Sequence, residues 1–473
     1  MKRRTEITTG ALMREDPRQP VRQLIDWAAV EHEAREHFVN LLRLDTTNPP
    51  GDEILAARYL ARALDKAGIE AHLEEPAPGR ANLVARLSAG APERGLLLSA
   101  HTDVVPAEPE HWRHPPFAAV QEDGLIYGRG AVDMKHMVAY CLMTMALLRR
   151  HGVKLARDVV FAAVADEEAG SRNGSLWLAE HRPELIQAQY ALNEVGGFSI
   201  TVGNKRVYPI QVAEKGFLWL RVSARGAPGH GSLPHGDNAV VKIARVIDKL
   251  SRRRLPLHLH PAAARFLDAL ARALGLPAGL ALRAAQNGWL HDLVLDRVLP
   301  DPEQVKVFGA MLHNTACPTM LESGTKENVI PSEASVTLDC RLLPGFNNDQ
   351  FLHELKTFLG DTSDLTFEIL ASGQPAQASI ATPLYRHLEA NLQRRDPGCL
   401  VTPYLVTGYT DAKAYSEIGI ETYGFTPLKM PPGLVFSKLF HAHDERVPVD
   451  AFNWGLRTFY ETVMSFACSA TEG

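Results

Sequence analysis

The sequence has no long apolar run, no organised cysteine pattern and no large excess of charge of one sign. No stretch approaches the roughly 18 uncharged apolar residues that a transmembrane helix needs, so we expect no membrane span. The five cysteines are scattered without a Cys-x-x-Cys pair, which suits a reducing compartment. A formal net charge of −5 over 473 residues argues against a surface dedicated to nucleic acid or to anionic membranes.

The N-terminus also lacks the apolar segment of a secretory signal. The chain opens with Met-Lys-Arg-Arg, and no apolar run follows before Asp16. We therefore expect a cytoplasmic protein in which residues 1–24 form a loose polar arm. Apolar residues make up 45% and charged residues 22%, an ordinary globular composition. Because 473 residues exceed what one hydrophobic core usually holds, we expect two domains.

What the sequence does contain is an alternation of short apolar runs and amphipathic segments. Gly95–Ala100, Val159–Ala165 and Tyr190–Asn193 are short, apolar and bounded, as buried strands are. Met134–Arg150 is amphipathic and longer, which is typical of a helix. Strands that alternate with helices predict an α/β fold with a mostly parallel sheet covered on both faces.

The pattern changes near residue 213 and changes back near residue 376. The intervening strand-like and helical segments follow one another in the order β-α-β-β-α-β, which predicts a split-βαβ, ferredoxin-like domain over residues 213–375: Gly216–Ala224, Asn238–Leu250, Asn328–Ile330, Ser335–Leu342, Asp349–Leu359 and Leu365–Ile369. This domain would be inserted into a catalytic domain built from residues 25–212 and 376–473. Residues 257–312 are rich in Ala and Leu, and we interpret them as a helical insertion that covers the site, contacts a dimer partner or simply packs as an appendage.

Histidines and carboxylates directly follow three of the predicted strands. His101 and Asp103 follow the first strand, the acidic triplet 166–168 follows the second, and Glu194 follows the third. Ligand sites in open α/β sheets form at the carboxyl ends of the strands. We therefore expect these side chains to meet at one edge of the sheet.

Two further segments carry the same residue types. Asp133 lies in a Gly-rich turn before the predicted helix, and His441 precedes Glu445 near the C-terminal helix. Each element has an ordinary structural explanation, since acids suit helix N-termini and an Asp can cap a helix. Five such coincidences are needed to explain the whole set, so we favour a functional site.

Together these motifs resemble the M20 metallopeptidase family, which includes glutamate carboxypeptidases, aminoacylases, succinyl-diaminopimelate desuccinylase and carboxypeptidase S. The resemblance covers nearly the whole chain after about residue 25. The matching segments are Ser99–Pro106, Gly128–Lys135, Asp166–Ser171, Glu194, Gly229–Pro234, Asn328–Pro331, Asp339–Arg341, and His441 with Glu445.

The resemblance implies two zinc ions, for which cobalt or manganese can substitute, and imidazole and carboxylate are ligand types that catalytic zinc accepts. The implied ligands are Asp133 as the bridge, His101 and Glu194 on one metal, and Glu168 and His441 on the other. His443 is a rival to His441, and the four-residue offset to Glu445 favours His441. A cis peptide bond before Met134 is also implied, and we interpret His136 as a helix-surface residue.

The resemblance assigns further roles around these metals. Glu167 is the implied general base, chosen over Asp166 by the resemblance alone, and Asp103 holds the ring of His101. His230 would stabilise the oxyanion, often from the partner of a homodimer formed through the inserted domain. His235 is an alternative for that histidine.

A last group of residues matches positions that bind the substrate carboxylate. Asn328 and Arg341 occupy two of them, and arginine suits a planar carboxylate. Lys413 stands where aminoacylase-like relatives usually carry arginine, so the charge is kept and the forked geometry is lost.

The implied function is hydrolysis of an amide bond next to a free carboxylate, by a metallocarboxypeptidase or an N-acyl-L-amino-acid amidohydrolase. The substrate would be a dipeptide or an N-acyl amino acid. The alternative is a catalytically silent relative that serves as a binding or assembly protein, although such a protein needs none of these ligands. A dinucleotide site is excluded because Gly128-x-Gly130 lacks the third glycine of that fingerprint.

Overall fold

The structure, a computed structural model, describes residues 25–298 and 302–469. Its strands in chain order are β1 Ala71–Ala77, β2 Arg80–Leu87, β3 Leu96–His101, β4 Gln121–Glu122, β5 Leu125–Tyr127, β6 Val159–Val164, β7 Tyr190–Asn193, β8 Ile200–Val202, β9 Lys205–Glu214, β10 Gly216–Arg225, β11 Gly229–His230, β12 Thr315–Ser323, β13 Val329–Ile330, β14 Glu333–Leu342, β15 Leu365–Gly373, β16 Ala376–Gln377, β17 Leu400–Val406, β18 Glu421–Gly424 and β19 Arg446–Pro448.

The α-helices of the described residues are, in chain order, α1 Trp27–Leu42, α2 Ile54–Lys66, α3 Lys135–Arg150, α4 Ser175–His181, α5 Pro183–Ile186, α6 Ala239–Arg252, α7 Pro261–Leu274, α8 Ala278–Ala284, α9 His291–Leu293, α10 Pro302–Leu312, α11 Asn348–Leu359, α12 Pro383–Arg395, α13 Ala412–Glu417 and α14 Val449–Ala467. Within residues 25–298 and 302–469, no helix combines the length and apolar character that crossing a bilayer requires.

A ten-stranded sheet forms the larger part of the molecule. Its main path runs β1-β2-β6-β3-β7-β18-β9-β16, and β8 and β17 also pair with β9. The central strands β6, β3, β7 and β18 are parallel, whereas the pairings at the β1 edge are antiparallel. This arrangement confirms the predicted α/β class with a central, mostly parallel sheet.

The central strands are apolar on both faces because helices cover both sides of the sheet. Along β3, Leu96 and Leu98 enter the core that contains α1, α3 and α14, whereas Leu97 enters the core that contains α4 and α13. Neighbouring side chains of a strand point to opposite faces, so a continuous apolar run fills both cores. This double burial brings the polar residues after β3, β6 and β7 to one edge.

A second, antiparallel sheet has the strand order β12-β14-β10-β15. Helices α6 and α11 pack on one face of it, and together with β10 and β14 they form a separate apolar core. The residues of β10 alternate between this core and the opposite face. That opposite face carries polar and aromatic side chains next to the large sheet.

One strand of the second sheet was predicted at the wrong place. We expected the segment Asn328–Ile330 to supply it, but Thr315–Ser323 occupies that position, and the short strand β13 pairs with β11 instead. Thr315–Ser323 is an edge strand whose residues are mostly exposed, so its sequence lacks the alternation by which half-buried strands are recognised.

The predicted helical insertion is formed by α7 to α10 and packs on the large sheet. Phe266 and Leu270 of α7 share an apolar cluster with Val207 of β9 and with Tyr404 of β17. This contact supports the interpretation of residues 257–312 as a packing appendage.

Candidate metal centre

His101 is fully buried at the end of β3, with each ring nitrogen in a defined environment. Its Nδ1 lies 3.1 Å from the backbone oxygen of Asp103, to which it can donate a hydrogen bond. Its Nε2 lies 3.0 Å from Oδ1 of Asp133 and 3.6 Å from Oε2 of Glu194. When Nδ1 carries the proton, the lone pair of Nε2 faces these two carboxylates, which is the tautomer that a metal ligand needs.

His441 approaches the same aspartate from the other side. Its Nε2 lies 3.3 Å from Oδ2 of Asp133 and 3.1 Å from Oε2 of Glu168. The backbone of His441 is in the left-handed region, with φ at 59°, which belongs to a tight turn between β18 and β19. The two oxygens of Asp133 therefore face two different histidines.

The five residues form two overlapping groups whose ligand atoms lie within 4.8 Å of one another: His101, Asp133 and Glu194 in one group, and Asp133, Glu168 and His441 in the other. Burial, together with the charge of Asp133, raises the pKa of Glu168, and it raises that of Glu194 to about 8. Hydrogen bonds to Asp133 and Glu168 raise the pKa of His441 to about 10. Carboxylates this close together repel one another unless positive charge lies between them. The carboxylate and imidazole groups of the five residues are donors that fit two divalent ions.

The turn that carries Asp133 is held by Glu445, a residue that we had used only as a sequence marker. The carboxylate of Glu445 accepts hydrogen bonds from the backbone N–H groups of Gly130 at 2.9 Å, Val132 at 2.6 Å and Asp133 at 3.0 Å. The guanidinium of Arg129 donates a fourth at 2.8 Å. The peptide bond between Asp133 and Met134 is cis, as the resemblance implied.

Asp103 connects three elements of the site through its carboxylate. Oδ1 of Asp103 lies 3.5 Å from Nδ1 of His101, farther than the backbone oxygen of the same residue. The carboxylate accepts hydrogen bonds from the backbone N–H groups of Glu167 and Glu168, both at 3.1 Å, and from Asn48 at 2.8 Å. Asp103 thus orients the acidic turn after β6 as well as the histidine after β3.

The structure supplies a physical difference between Asp166 and Glu167. Asp166 accepts hydrogen bonds from Arg80 at 2.7 Å, from Asn48 at 3.2 Å and from Asn173 at 2.9 Å, so both of its oxygens are occupied. Among the described residues, none donates a hydrogen bond to the carboxylate of Glu167, which is 7% exposed. Burial and the charge of Glu194 raise the pKa of Glu167 well above its usual value.

Two other histidines lie apart from the ligand groups. Nε2 of His443 lies 2.9 Å from Glu108 on the surface. His136 is fully buried in α3, so our interpretation of it as a helix-surface residue was wrong. Burial lowers the pKa of His136 to about 3, which keeps the ring neutral, and its ring packs edge-on against Tyr140 at 5.5 Å.

His230 and Asn328 lie next to each other, and they lie apart from the two groups of candidate metal ligands. His230 pairs with Val329 through β11 and β13, and the N–H of Gly231 donates to the backbone oxygen of Asn328 at 2.8 Å. Both His230 and Asn328 are exposed. Within the described residues, no hydrogen bond or ion pair joins either of them to the two ligand groups, and His235 is likewise exposed.

Arg341 and Lys413 both lie close to one aromatic ring, that of Tyr409. The guanidinium carbon of Arg341 is 5.5 Å from the ring centre, and Nζ of Lys413 is 3.8 Å from it. Arg341 also donates to both oxygens of Asp339, at 2.8 and 3.1 Å. Lys413 is 8% exposed, and its Nζ makes no hydrogen bond with a described residue. Tyr409 was missed from the sequence because a tyrosine in a turn has no distinctive spacing.

Comparisons with known proteins identify the family and the fold of this chain. The model of peptidase family M20/M25/M40 matches residues 97–465. The N-fatty-acyl-amino acid synthase/hydrolase PM20D1 of Mus musculus is 29% identical over 382 residues, which cover 78% of this chain and 73% of the relative. Aminoacylase-1 of Sus scrofa is 27% identical over 445 residues, which cover 92% of this chain and 96% of the relative.

Solved structures share the fold. An M20 family metallo-carboxypeptidase from Sulfolobus solfataricus superimposes with a TM-score of 0.66 at 19% identity, covering 91% of this chain and 98% of that one. Human carnosine dipeptidase 1 superimposes with a TM-score of 0.63 at 15% identity, covering 94% and 99%. Because the family match extends over most of the chain, this protein is a member of peptidase family M20/M25/M40, a metal-dependent family, and it is a hydrolase of the peptidase and amidohydrolase type.

Proposed function

We propose that this chain is a two-zinc hydrolase that cleaves an amide bond next to a free carboxylate, in an N-acyl-L-amino acid or a dipeptide. The observation that carries the proposal is the position of Asp133, whose two oxygens lie 3.0 Å from His101 and 3.3 Å from His441. A carboxylate with one oxygen toward each of two histidines is placed to bridge two ions. The names of two curated relatives refer to acyl-amino acids, which favours that substrate class.

The ligands would be His101 and Glu194 for one ion and Glu168 and His441 for the other, with cobalt or manganese as substitutes for zinc. When bound, the ions supply Lewis-acid polarisation of the scissile carbonyl and lower the pKa of the attacking water. Every other step is assigned to side chains of the protein itself.

Glu167 acts as the general base in this proposal. It takes a proton from the attacking water and passes it to the departing nitrogen, so the proton count balances within one turnover. Its raised pKa suits a carboxyl that must hold a proton between these two steps. Asp166, in contrast, is committed to Arg80 and two asparagines.

The substrate carboxylate binds to Arg341, Lys413 and Asn328, and His230 donates to the developing oxyanion. Because His230 and Asn328 are exposed and lack contacts with the ligand groups, we assign their roles to the site of a second copy in a homodimer formed through residues 213–375. The same residues, as a domain inserted between 25–212 and 376–473, would close over the metals and exclude water.

The test of the general base is hydrolysis of a panel of N-acetyl amino acids and dipeptides by the zinc-loaded protein and by Glu167→Gln. We expect kcat to fall by about 10²–10⁴-fold while the content of two metals is retained. Glu108→Gln, which removes an exposed carboxylate beside His443, is the matched control and should keep wild-type activity. Full activity of Glu167→Gln would remove it from the mechanism. A wild type that binds metals but turns over nothing in the panel would show that the panel lacks its acyl group, whereas a wild type that neither binds metals nor turns over would favour the binding-protein alternative.

The ligand assignment has its own matched pair, His441→Ala and His443→Ala. We expect His441→Ala to lose one of two metals, because its Nε2 faces both Asp133 and Glu168, and His443→Ala to keep both. Metal content is measured by atomic emission after gel filtration. The reverse result would assign the ligand to His443.

The dimer is tested by complementation. His230→Ala and Glu167→Gln proteins, each inactive alone, are unfolded together and refolded as a mixture. If His230 serves the partner's site, mixed dimers contain one site with both residues intact, and activity returns. Absence of any recovery in dimers shown to be mixed would place His230 in the site of its own chain.

A further inference from the structure

The second sheet presents two aromatic residues on the face that its helices leave open. Residues Leu218, Leu220 and Val222 of β10 enter the core beneath α6 and α11. The residues between them point the other way, so Phe217 and Trp219 lie on the opposite face, and Trp219 is 48% exposed. Apolar side chains that adjoin one another on a surface mark binding sites more often than isolated ones do.

These two residues lie beside the proposed carboxylate anchor. Phe217 is the direct cross-strand partner of Arg341, and Trp219 is the partner of Asp339. Cross-strand partners of an antiparallel pair share a face at a Cβ separation of about 5 Å. On the other flank of β14 the partners of Arg341 and Asp339 are Thr315 and Cys317, which are small. Of these two flanks of the anchor, the β10 flank is therefore the one that carries large aromatic side chains.

The aromatic surface continues to Tyr409, which lies between β17 and α13. The ring of Phe217 is 5.7 Å from that of Trp219 and 5.6 Å from that of Tyr409, and Tyr409 contacts Arg341 and Lys413. Burial and the charges of Glu167 and Glu168 raise the pKa of Tyr409, so this end of the row lies within electrostatic reach of the proposed base. The three rings form one aromatic row that begins at the exposed Trp219 and ends at Tyr409, beside the two cations of the proposed anchor.

The orientation of Phe217 is set before any ligand arrives. Phe217 lies opposite Gly373 in the pairing of β10 with β15. A Cβ atom at Gly373 would lie 2.5 Å from Cε1 of Phe217, so the ring occupies space that only glycine leaves free. A ring held in place by its surroundings loses little conformational entropy when it contacts a substrate.

We infer that Phe217, Trp219 and Tyr409 form a specificity subsite for a large apolar or aromatic side chain on the substrate residue that bears the free carboxylate. The inference rests on the proposed function, because Arg341 and Lys413 must hold that carboxylate. With the carboxylate on the anchor, the side chain of the same residue is one bond from the α-carbon and contacts the β10 flank. Charged side chains would lose hydration against this aromatic row and are disfavoured.

The experiment measures kcat/KM of the zinc-loaded protein for N-acetyl-phenylalanine, N-acetyl-glycine and N-acetyl-aspartate. We expect the wild type to prefer phenylalanine over aspartate by about tenfold or more. Phe217→Ala should reduce the phenylalanine-to-glycine ratio by about tenfold, and Phe217→Leu should restore part of it. Gly373→Ala should reduce the same ratio by displacing the ring without removing it. The control is Trp289→Ala, which removes a 97% exposed aromatic residue of the helical insertion and should leave the ratio unchanged.

The outcomes separate the two proposals. A wild type that hydrolyses all three substrates but prefers aspartate or glycine overturns the subsite and leaves the proposed function intact. A Phe217→Ala protein that loses activity equally on all substrates overturns it as well, because Phe217 would then act on folding or on the shared anchor. A wild type that hydrolyses no N-acyl amino acid and no dipeptide refutes the proposed function, and the subsite with it.

Discussion

Replacing Glu445 by alanine should destabilise the protein strongly, although Glu445 lies in neither of the two ligand groups. The carboxylate is fully buried and pairs with Arg129, which is 2% exposed, at 2.8 Å. Removing one partner of such a pair leaves a buried charge and costs about 3–5 kcal/mol. Three backbone N–H groups of the 130–133 turn lose their acceptor at the same time. Because this turn positions Asp133, we also expect metal affinity to fall by about 10–100-fold.

The free energy of unfolding is measured by urea denaturation with zinc and with chelator, and metal affinity is measured by calorimetric titration. Glu445→Gln keeps the shape but loses the charge, so its effect should be intermediate. Glu122→Ala removes a carboxylate that pairs with Arg113 on the surface at 2.7 Å, and this control should cost less than about 1 kcal/mol. Adding Arg129→Met to Glu445→Ala should recover part of the loss. A Glu445→Ala protein as stable as the Glu122→Ala control would refute the reasoning.

Three further outcomes are expected. Chelation of the metals should lower the Tm in calorimetry and zinc should restore it, because the ligand groups crowd three carboxylates; an unchanged Tm would contradict this. Burial would raise the pKa of Asp396, but hydrogen bonds from Arg206, Tyr208 and Lys429 lower it to about 2. Its stabilisation is therefore present above the ordinary carboxyl pKa and lost as the pH falls toward 2, so Asp396→Asn should cost about 1–3 kcal/mol at pH 7, and its urea midpoint should meet that of the wild type near pH 2. Gly455→Ala would place a Cβ against the backbone oxygen of Pro427 and should cost about 3 kcal/mol, whereas Gly288→Ala, with open space around it, should change the urea midpoint little.

The central strands and their polar ends could be predicted from the sequence because burial and chemistry coincide there. A strand covered on both faces must be apolar throughout, so β3, β6 and β7 appear as short apolar runs. The residues that follow these three strands are polar and lie at the carboxyl ends of the strands. Burial of the strand and the chemistry at its end act on residues that are neighbours in the sequence, so a short-range pattern is enough to predict both.

Features that depend on distant contacts left no such pattern. Strand β12 is an exposed edge, so solvent imposes no alternation on it. The role of Glu445 comes from hydrogen bonds to a turn more than three hundred residues earlier in the chain. We expected Met134–Arg150 to be amphipathic, but α3 is buried from Lys135 to Leu148, so its pattern did not show that His136 is buried. The strand β12, the role of Glu445 and the burial of His136 could therefore be recognised only from the three-dimensional structure.

The order of the strands has a consequence for how the protein is made. β18 lies between β7 and β9, and it is followed by His441 and Glu445. During translation, His101, Asp133 and Glu194 leave the ribosome long before these residues. Until β18 and His441 follow, the growing chain lacks a strand between β7 and β9 and the second histidine of the candidate site. Synthesis of residues 421–445 supplies both the strand and the second histidine. A product that ends before β18 therefore lacks a central strand and a proposed metal ligand together, so its sheet and its candidate site would both stay incomplete.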